Sequence, residues 1–373
     1  MCDEVNHSDK GKFLNIEVLR IIGCISIVFI HLFPQYLYDI FKDIELYGKL
    51  ASCTGNGNKA VDMFFMISGF LFSLKLNLDR PITEFLLKKF IRLWPTLVFV
   101  ILVSFLISII GIFDFNFYDD LLAILGLSGT GLVLRIAESA SVFWYVSAMI
   151  WTMLLFMYLL KNYQLKTVNL IIAALIFFSY SFIIHATGGK IRGHTNTYCY
   201  VFNLGMLRSL GGIGIGYFIG KFYKSHYEKI IKLRVSFSEK FLITIIEFLC
   251  LSFTIYNLIL HKFKFNNQII YIIVFTFMLT LFVVKKGFLS EFLDKKVFSK
   301  ISKYTYSIYM THLLILGTLK GSLWKNCQSF VYEHPVLNIA ITLILIAILG
   351  IFTYHVIEVP SAKFLRKKLL KST

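Results

Sequence analysis

Arg20 and His31 lie in one otherwise apolar stretch, NIEVLRIIGCISIVFIHLF, with ten residues between them. Ionisable groups inside a bilayer segment are costly, so they mark substrate paths, proton paths or acid–base chemistry. Eleven helical steps of about 100° bring both side chains onto one face, about 16 Å apart along the axis. Cys24 and Ile27 fill the stripe between them. A guanidinium recognises phosphate bidentately, and an imidazole with a pKa near ~6.5 exchanges protons at neutral pH. The plainer alternative is an arginine reaching the membrane edge and a histidine satisfied by a neighbouring helix.

Further polar groups sit in apolar surroundings. KAVDMFFMISGFLFSL places Asp62 near one end of a span and Ser68-Gly69-Phe70 in its middle. Asp62 reads either as part of a site or as an interfacial cap, and Gly69 as a close helix contact. FLLKKFIRLWPTL carries Lys88, Lys89 and Arg92 ahead of Trp94-Pro95. Pro95 suits the first turn of a span and Trp94 an interfacial belt. Arg92 is then a phosphate contact beside Arg20, or an anchor. Arg208 falls mid-span in NLGMLRSLGGIGIGYFIG, where Gly212, Gly216 and Gly220 form a small-residue packing face. No strand precedes those glycines, so they are no dinucleotide fingerprint. In ISKYTYSIYMTHLLIL, Tyr309 and His312 are three apart and share a face. In YHVIEVPSAKF, His355 and Glu358 read as a structural lock before Pro360 stops the helix. FWYVSAMIW, with Tyr145 and Ser147, fits belt packing.

The elements that must position these groups are membrane helices. The chain is 57% hydrophobic and 16% charged, with mean hydropathy +0.73, which excludes an ordinary soluble domain. A span needs ~20 residues, and ten windows qualify: 15–38, 59–78, 91–113, 142–160, 168–185, 198–220, 241–260, 268–284, 304–319 and 336–357. The stretch 120–137, broken by glycine, reads as a short re-entrant or interfacial helix covered by protein. With the N-terminus inside, 26 Lys and Arg fall on cytosolic segments against 10 on external loops, as the positive-inside rule requires. The expected fold class is therefore an all-α polytopic membrane protein with about ten transmembrane helices and both termini cytosolic. It comprises a tail at 1–14, one membrane domain at 15–360 and a basic tail at 361–373.

The net charge of +17 is spread over every cytosolic loop. It suits anionic lipid headgroups and a polyphosphate cofactor, with no nucleic-acid module. Six cysteines have no metal-type spacing, and no metal site is expected. Cys53, Cys199 and Cys327 fall on the outer side, where one disulfide is conceivable. The polar N-terminus and long first span do not resemble a signal peptide.

Taken together, the arginine and histidine of LRIIGCISIVFIH, then VDMFFMISGF, IRLWP, ISKYTYSIYMTH and the closing IEVP resemble the integral-membrane acyltransferase 3 family over about residues 13–365. That family O-acylates sugars of bacterial surface polysaccharides and related acceptors. The resemblance implies that Arg20 and His31 are the essential pair and that Arg92 is the conserved arginine ahead of the third span. It implies acetyl-CoA or another acyl-CoA as donor substrate, with no permanently bound cofactor. It further implies a glycan or glycolipid acceptor, and a multi-pass location in the bacterial cytoplasmic (inner) membrane. Many relatives carry a glutamate in a segment resembling SVEEQFY. The corresponding VSAMIWTML has no acid, so no catalytic carboxylate carries over. Nor does any stretch correspond to the esterase-like domain of larger relatives.

On this reading Arg20 and Arg92 hold the donor, as phosphate or thioester-carbonyl contacts. His31, farther outward, deprotonates the acceptor hydroxyl. Asp62, Arg208, Tyr309 and His312 are second-rank candidates for orienting it. Direct transfer is simplest, since no serine or cysteine has an evident base partner. A transporter or flippase is the alternative, but it favours internal repeats, and none is convincing. A scaffold for polysaccharide assembly is a third possibility.

Overall fold

The computed structural model describes residues 13–109, 111, 115–130, 141–193, 197–198, 202–259 and 266–369. These are helical apart from turns and one two-residue antiparallel pairing, Thr197–Tyr198 with Phe202–Asn203. In chain order the helices are α1 (Ile16–Ile30), α2 (Glu45–Thr54), α3 (Ala60–Lys75) and α4 (Ile82–Ile109). Next come α5 (Phe117–Ile124), α6 (Trp144–Asn162), α7 (Leu165–Ala186), α8 (Leu204–Lys232) and α9 (Phe237–Ile259). Then follow α10 (Ile269–Val284), α11 (Phe288–Phe292), α12 (Lys296–Ser302) and α13 (Thr305–Thr318). The last are α14 (Gln328–Glu333), α15 (Pro335–Thr353) and α16 (Val359–Leu369).

Six helical stretches among the described residues are long and apolar enough to cross a membrane: Ile16–Ile40, Ile82–Ile109, Ser141–Asn162, Leu165–Ala186, Phe237–Ile259 and Pro335–Leu369. The windows 59–78, 198–220, 268–284 and 304–319 also hold helices. Those helices are shorter, or interrupted by glycine and charge. Large apolar side chains such as Leu106, Phe177, Phe248 and Ile348 point outward from the long helices, as a lipid-facing surface requires.

Glycine explains how α3 and α8 come together. A β-carbon on Gly216 would lie 2.0 Å from the Met66 carbonyl oxygen, and one on Gly69 would lie 2.2 Å from that of Ile213. Only a bare backbone allows this approach, and both expected small-residue contacts are present. α7 closes over the other side of α8, where Tyr217 Oη donates to Asn169 Oδ1 at 3.0 Å.

α1 is pinned at its start. The Leu14 and Asn15 N–H groups donate to Asp294 Oδ1 at 2.9 and 3.3 Å, and the Asn15 amide donates to the Phe282 carbonyl at 2.7 Å. Orphan donors at a helix N-terminus are thus met by a carboxylate from a distant loop.

Two proline expectations change. α4 begins at Ile82, so Pro95 lies deep inside a helix and not in its first turn. Trp94 is likewise interior. Its indole N–H donates to the Ile124 carbonyl at 2.7 Å and its ring packs edge-on to Phe143 at 5.4 Å. The physical reason is that the amphipathic ITEFLLKKFIR continues the helix beyond its apolar window. Nor does Pro360 end the chain's last helix, which runs through α16 to Leu369. A wide π turn at Tyr354–Glu358 immediately precedes it, and a change of hydrogen-bond register accommodates a residue that can neither donate nor tolerate the carbonyl four back. The same device surrounds Pro34, inside the π turn His31–Leu37.

The segment after α4 doubles back. Phe115 packs on Phe105 with ring centroids 5.2 Å apart, and the carbonyl of Ile124 reaches Trp94, eleven residues lower on α4. The Gly126 carbonyl then accepts from the Trp151 indole at 2.9 Å and from the Ser147 hydroxyl, while Gly129 N–H donates to Ser147 Oγ at 3.0 Å. Lys161, at the end of α6, donates to the Arg80 carbonyl at 2.8 Å just before α4. α4 and α6 are therefore antiparallel, and their connection starts and finishes at the same face. The part of 120–137 beyond residue 130 lies outside the described residues, as do Cys2 and Cys199. Among the described residues Cys24, Cys53, Cys250 and Cys327 are free thiols.

Candidate active site

The stripe predicted on α1 faces the end of α12 and then α13. Glu17 Oε2 accepts from Ser302 Oγ at 2.6 Å, the Cys24 thiol donates to the Thr305 carbonyl at 3.6 Å, and the His31 ring lies 5.1 Å from that of His312. Two helices running side by side in step thus carry one histidine each to the same depth.

The two imidazoles are held alike. His31 Nδ1–H donates to Gln35 Oε1 at 2.6 Å, and His312 Nδ1–H donates to the Tyr309 carbonyl at 2.8 Å. In both rings this leaves Nε2 as the nitrogen with the lone pair. His312 is fully buried, and its Nε2 has no hydrogen-bond partner among the described residues. A buried acceptor without a donor costs about 1–3 kcal/mol. His31 is half-buried and Gln35 is exposed, so this end of the site opens toward the face carrying the exposed Asp39–Lys320 pair (3.4 Å). The π turn at His31–Leu37 aims Gln35; such turns recur at functional sites.

From His312 a line of hydroxyl-bearing rings leads toward the opposite, lysine-rich face. Tyr309 lies 6.2 Å from His312 and 6.1 Å from Tyr145, and Tyr145 Oη shares a hydrogen bond of 3.0 Å with Ser68 Oγ. Tyr145 feels the charges of both Arg20 and Arg92. Beyond it Lys89, half-buried over the Phe85 ring at 5.6 Å, feels the charges of Arg92, Lys75 and Arg20. This brings four basic side chains from α1, α3 and α4 within one another's fields, and such a cluster attracts polyanions.

Arg20 does not stand bare in that cluster. It is one-quarter exposed and pairs with Glu17 at 3.3 Å, so an incoming anion must compete with a carboxylate one turn away. Arg92 is exposed, as a phosphate contact needs.

Asp62 and Arg208 turn to each other. Arg208 Nη2 meets Asp62 Oδ2 at 2.6 Å, and its Nε lies 3.2 and 3.3 Å from the two carboxylate oxygens. The remaining reach goes to the Asn58 carbonyl at 2.7 Å and the Gly193 carbonyl at 3.2 Å, with the Trp144 ring 5.5 Å away. All three guanidinium nitrogens are engaged, so the pair ties α3 to α8 and keeps no hand free for substrate.

His355 and Glu358 are not partners, despite their spacing. His355 Nε2 shares a hydrogen bond of 3.2 Å with Tyr304 Oη, and Glu358 Oε2 accepts from Ser307 Oγ at 2.6 Å. Each locks the last helix to α13 separately, because the π turn rotates one away from the other. Sequence reasoning passed over Gln35 and assigned Tyr145 to belt packing. The signal for Gln35 was its position four residues after His31. For Tyr145 the signal was a hydroxyl able to hydrogen-bond inside a span, masked because aromatic residues at a helix entry resemble a membrane belt.

No curated protein and no solved structure is significantly similar to the chain. A family model described as an acyltransferase domain matches residues 13–356, nearly the whole length, with the two histidines, Arg20 and Arg92 all inside the match. The chain belongs to the acyltransferase 3 family and is a membrane acyltransferase.

Proposed function

We propose that the protein is a multi-pass O-acyltransferase of the bacterial cytoplasmic membrane, with ten spans and both termini cytosolic. It moves an acyl group, acetyl first among them, from acyl-CoA to a hydroxyl of a surface glycan or its lipid-linked precursor. The observation that carries this reading is the orientation of His31. Its Nδ1–H is committed to Gln35, which leaves Nε2 to take a proton.

The donor enters at the lysine-rich face, where Arg92, Lys89, Lys75 and Arg20 attract the phosphates of CoA. Its flexible arm follows Tyr145 and Tyr309 inward. The acceptor approaches from the Gln35 side. His31 Nε2 removes the hydroxyl proton as oxygen attacks the thioester carbon, the C–S bond breaks, and CoA leaves with the electron pair on sulfur. Asp62 and Arg208 hold the frame and do not touch the reaction.

The test is mass analysis of surface glycans and lipids from cells with and without the protein, and with His31→Ala. One acyl mass increment present only with the unaltered protein supports the reading. An unchanged product with His31→Ala at normal membrane level refutes it.

A further inference from the structure

The reaction leaves one proton to be delivered, and the structure holds one imidazole nitrogen that the scheme above does not use. His312 Nε2 is buried and unpartnered among the described residues, in a ring 5.1 Å from that of His31. Its Nδ1–H is spent on the Tyr309 carbonyl, so Nε2 carries the lone pair. The two rings also differ in access. His31 is half-buried beside exposed Gln35, whereas His312 is fully buried and continues into Tyr309 and Tyr145 toward the cationic entrance. His31 is therefore the more open of the two, and His312 the one joined to the tyrosine line.

We propose that His31 and His312 divide acid–base work between them, His31 taking the proton from the acceptor hydroxyl and His312 delivering it to the departing CoA sulfur. This rests on the acyl-CoA reading above and names the residue that completes it. The O–H bond breaks and its proton goes to His31 Nε2. The C–O bond forms and the C–S bond breaks with its electron pair on sulfur. The proton passes from His31 Nε2 to His312 Nε2 and then to the thiolate, so that CoA leaves as the thiol and both imidazoles end neutral.

The experiment uses native membranes supplied with acetyl-CoA labelled in the acetyl group, and follows label entering the endogenous acceptor. His312→Gln keeps polarity but cannot carry a proton, and is expected to lower turnover about 100-fold at pH 7 with the acetyl-CoA KM unchanged. An alkyl thiol has a pKa near ~8.5, above which the leaving thiolate needs no proton, so the deficit shrinks as pH rises past that value. His31→Ala shows no such recovery. His312→Ala, with a cavity in place of the ring, regains activity when imidazole is added, and serves where the glutamine variant does not accumulate.

Wild-type turnover in His312→Gln overturns the proposal. So does an equal loss at every pH, or a His312→Ala enzyme that imidazole does not restore. Undiminished transfer by His31→Ala instead refutes the underlying reading.

Discussion

His31 and His312 each lie seven residues beyond the Cys24–Thr305 contact, and their rings meet at 5.1 Å. Equal rise along two parallel helices is what brings them level. The pairing is a consequence of helix register, so a shift of one turn in either helix would part them. It also gives the first helix a partner that no local pattern in the chain announces.

Gln35 fixes which nitrogen of His31 carries the proton. Gln35→Leu releases the ring and mixes its tautomers. One neutral hydrogen bond is worth about 1 kcal/mol and tenfold in rate corresponds to ~1.4 kcal/mol, so turnover is expected to fall about fivefold with donor KM unchanged. Steady-state kinetics at saturating acetyl-CoA measure this. A raised KM with full turnover would assign Gln35 to donor binding.

The Asp62–Arg208 pair is structural, and its members are not interchangeable with solvent. Arg208→Ala leaves a buried carboxylate alone, a loss of about 3–5 kcal/mol. Thermal unfolding of the detergent-solubilised protein should show a large drop in midpoint for either single variant. A variant as stable as the parent but inactive would move the pair into the chemistry.

Gly216→Ala drives a methyl group onto the Met66 carbonyl oxygen. Overpacking of this kind costs about 1–3 kcal/mol. The expected signature is lower thermal stability with normal kinetics in whatever fraction remains folded, read by size-exclusion recovery and by activity per folded molecule.

Lys89→Ala and Arg92→Ala remove charge from the entrance without touching the histidines. The acetyl-CoA KM is expected to rise several-fold for each, with turnover nearly constant, because the lost interaction is shared by ground and transition states. Added salt should narrow the gap between parent and variants, since it screens exposed charges beyond about 8–10 Å. A gap that salt does not change would contradict an electrostatic entrance.

Local periodicity reached as far as helix faces. Arg20, Cys24, Ile27 and His31 share a stripe because 3.6 residues make a turn. Gly212, Gly216 and Gly220 share another for the same reason, and both stripes pack as expected. Charged ends were harder. The helix of Pro95 extends well beyond its apolar window, because amphipathic turns at a membrane edge remain helical while hydropathy falls. His355 and Glu358 show the limit of spacing rules, since a π turn changes the angle per residue on which those rules rest.

The sequence by itself determined a membrane-embedded helical protein, a cation and an imidazole on one face of its first span, and the order of motifs that places it in its family. Those are properties of composition and of intervals within single helices. Only the tertiary structure decided that Asp62 belongs to Arg208, 146 residues away, and that His31 faces His312. The reason is that contacts between helices depend on packing height and rotation, which glycine contacts and capping by remote loops set, and which no single segment encodes.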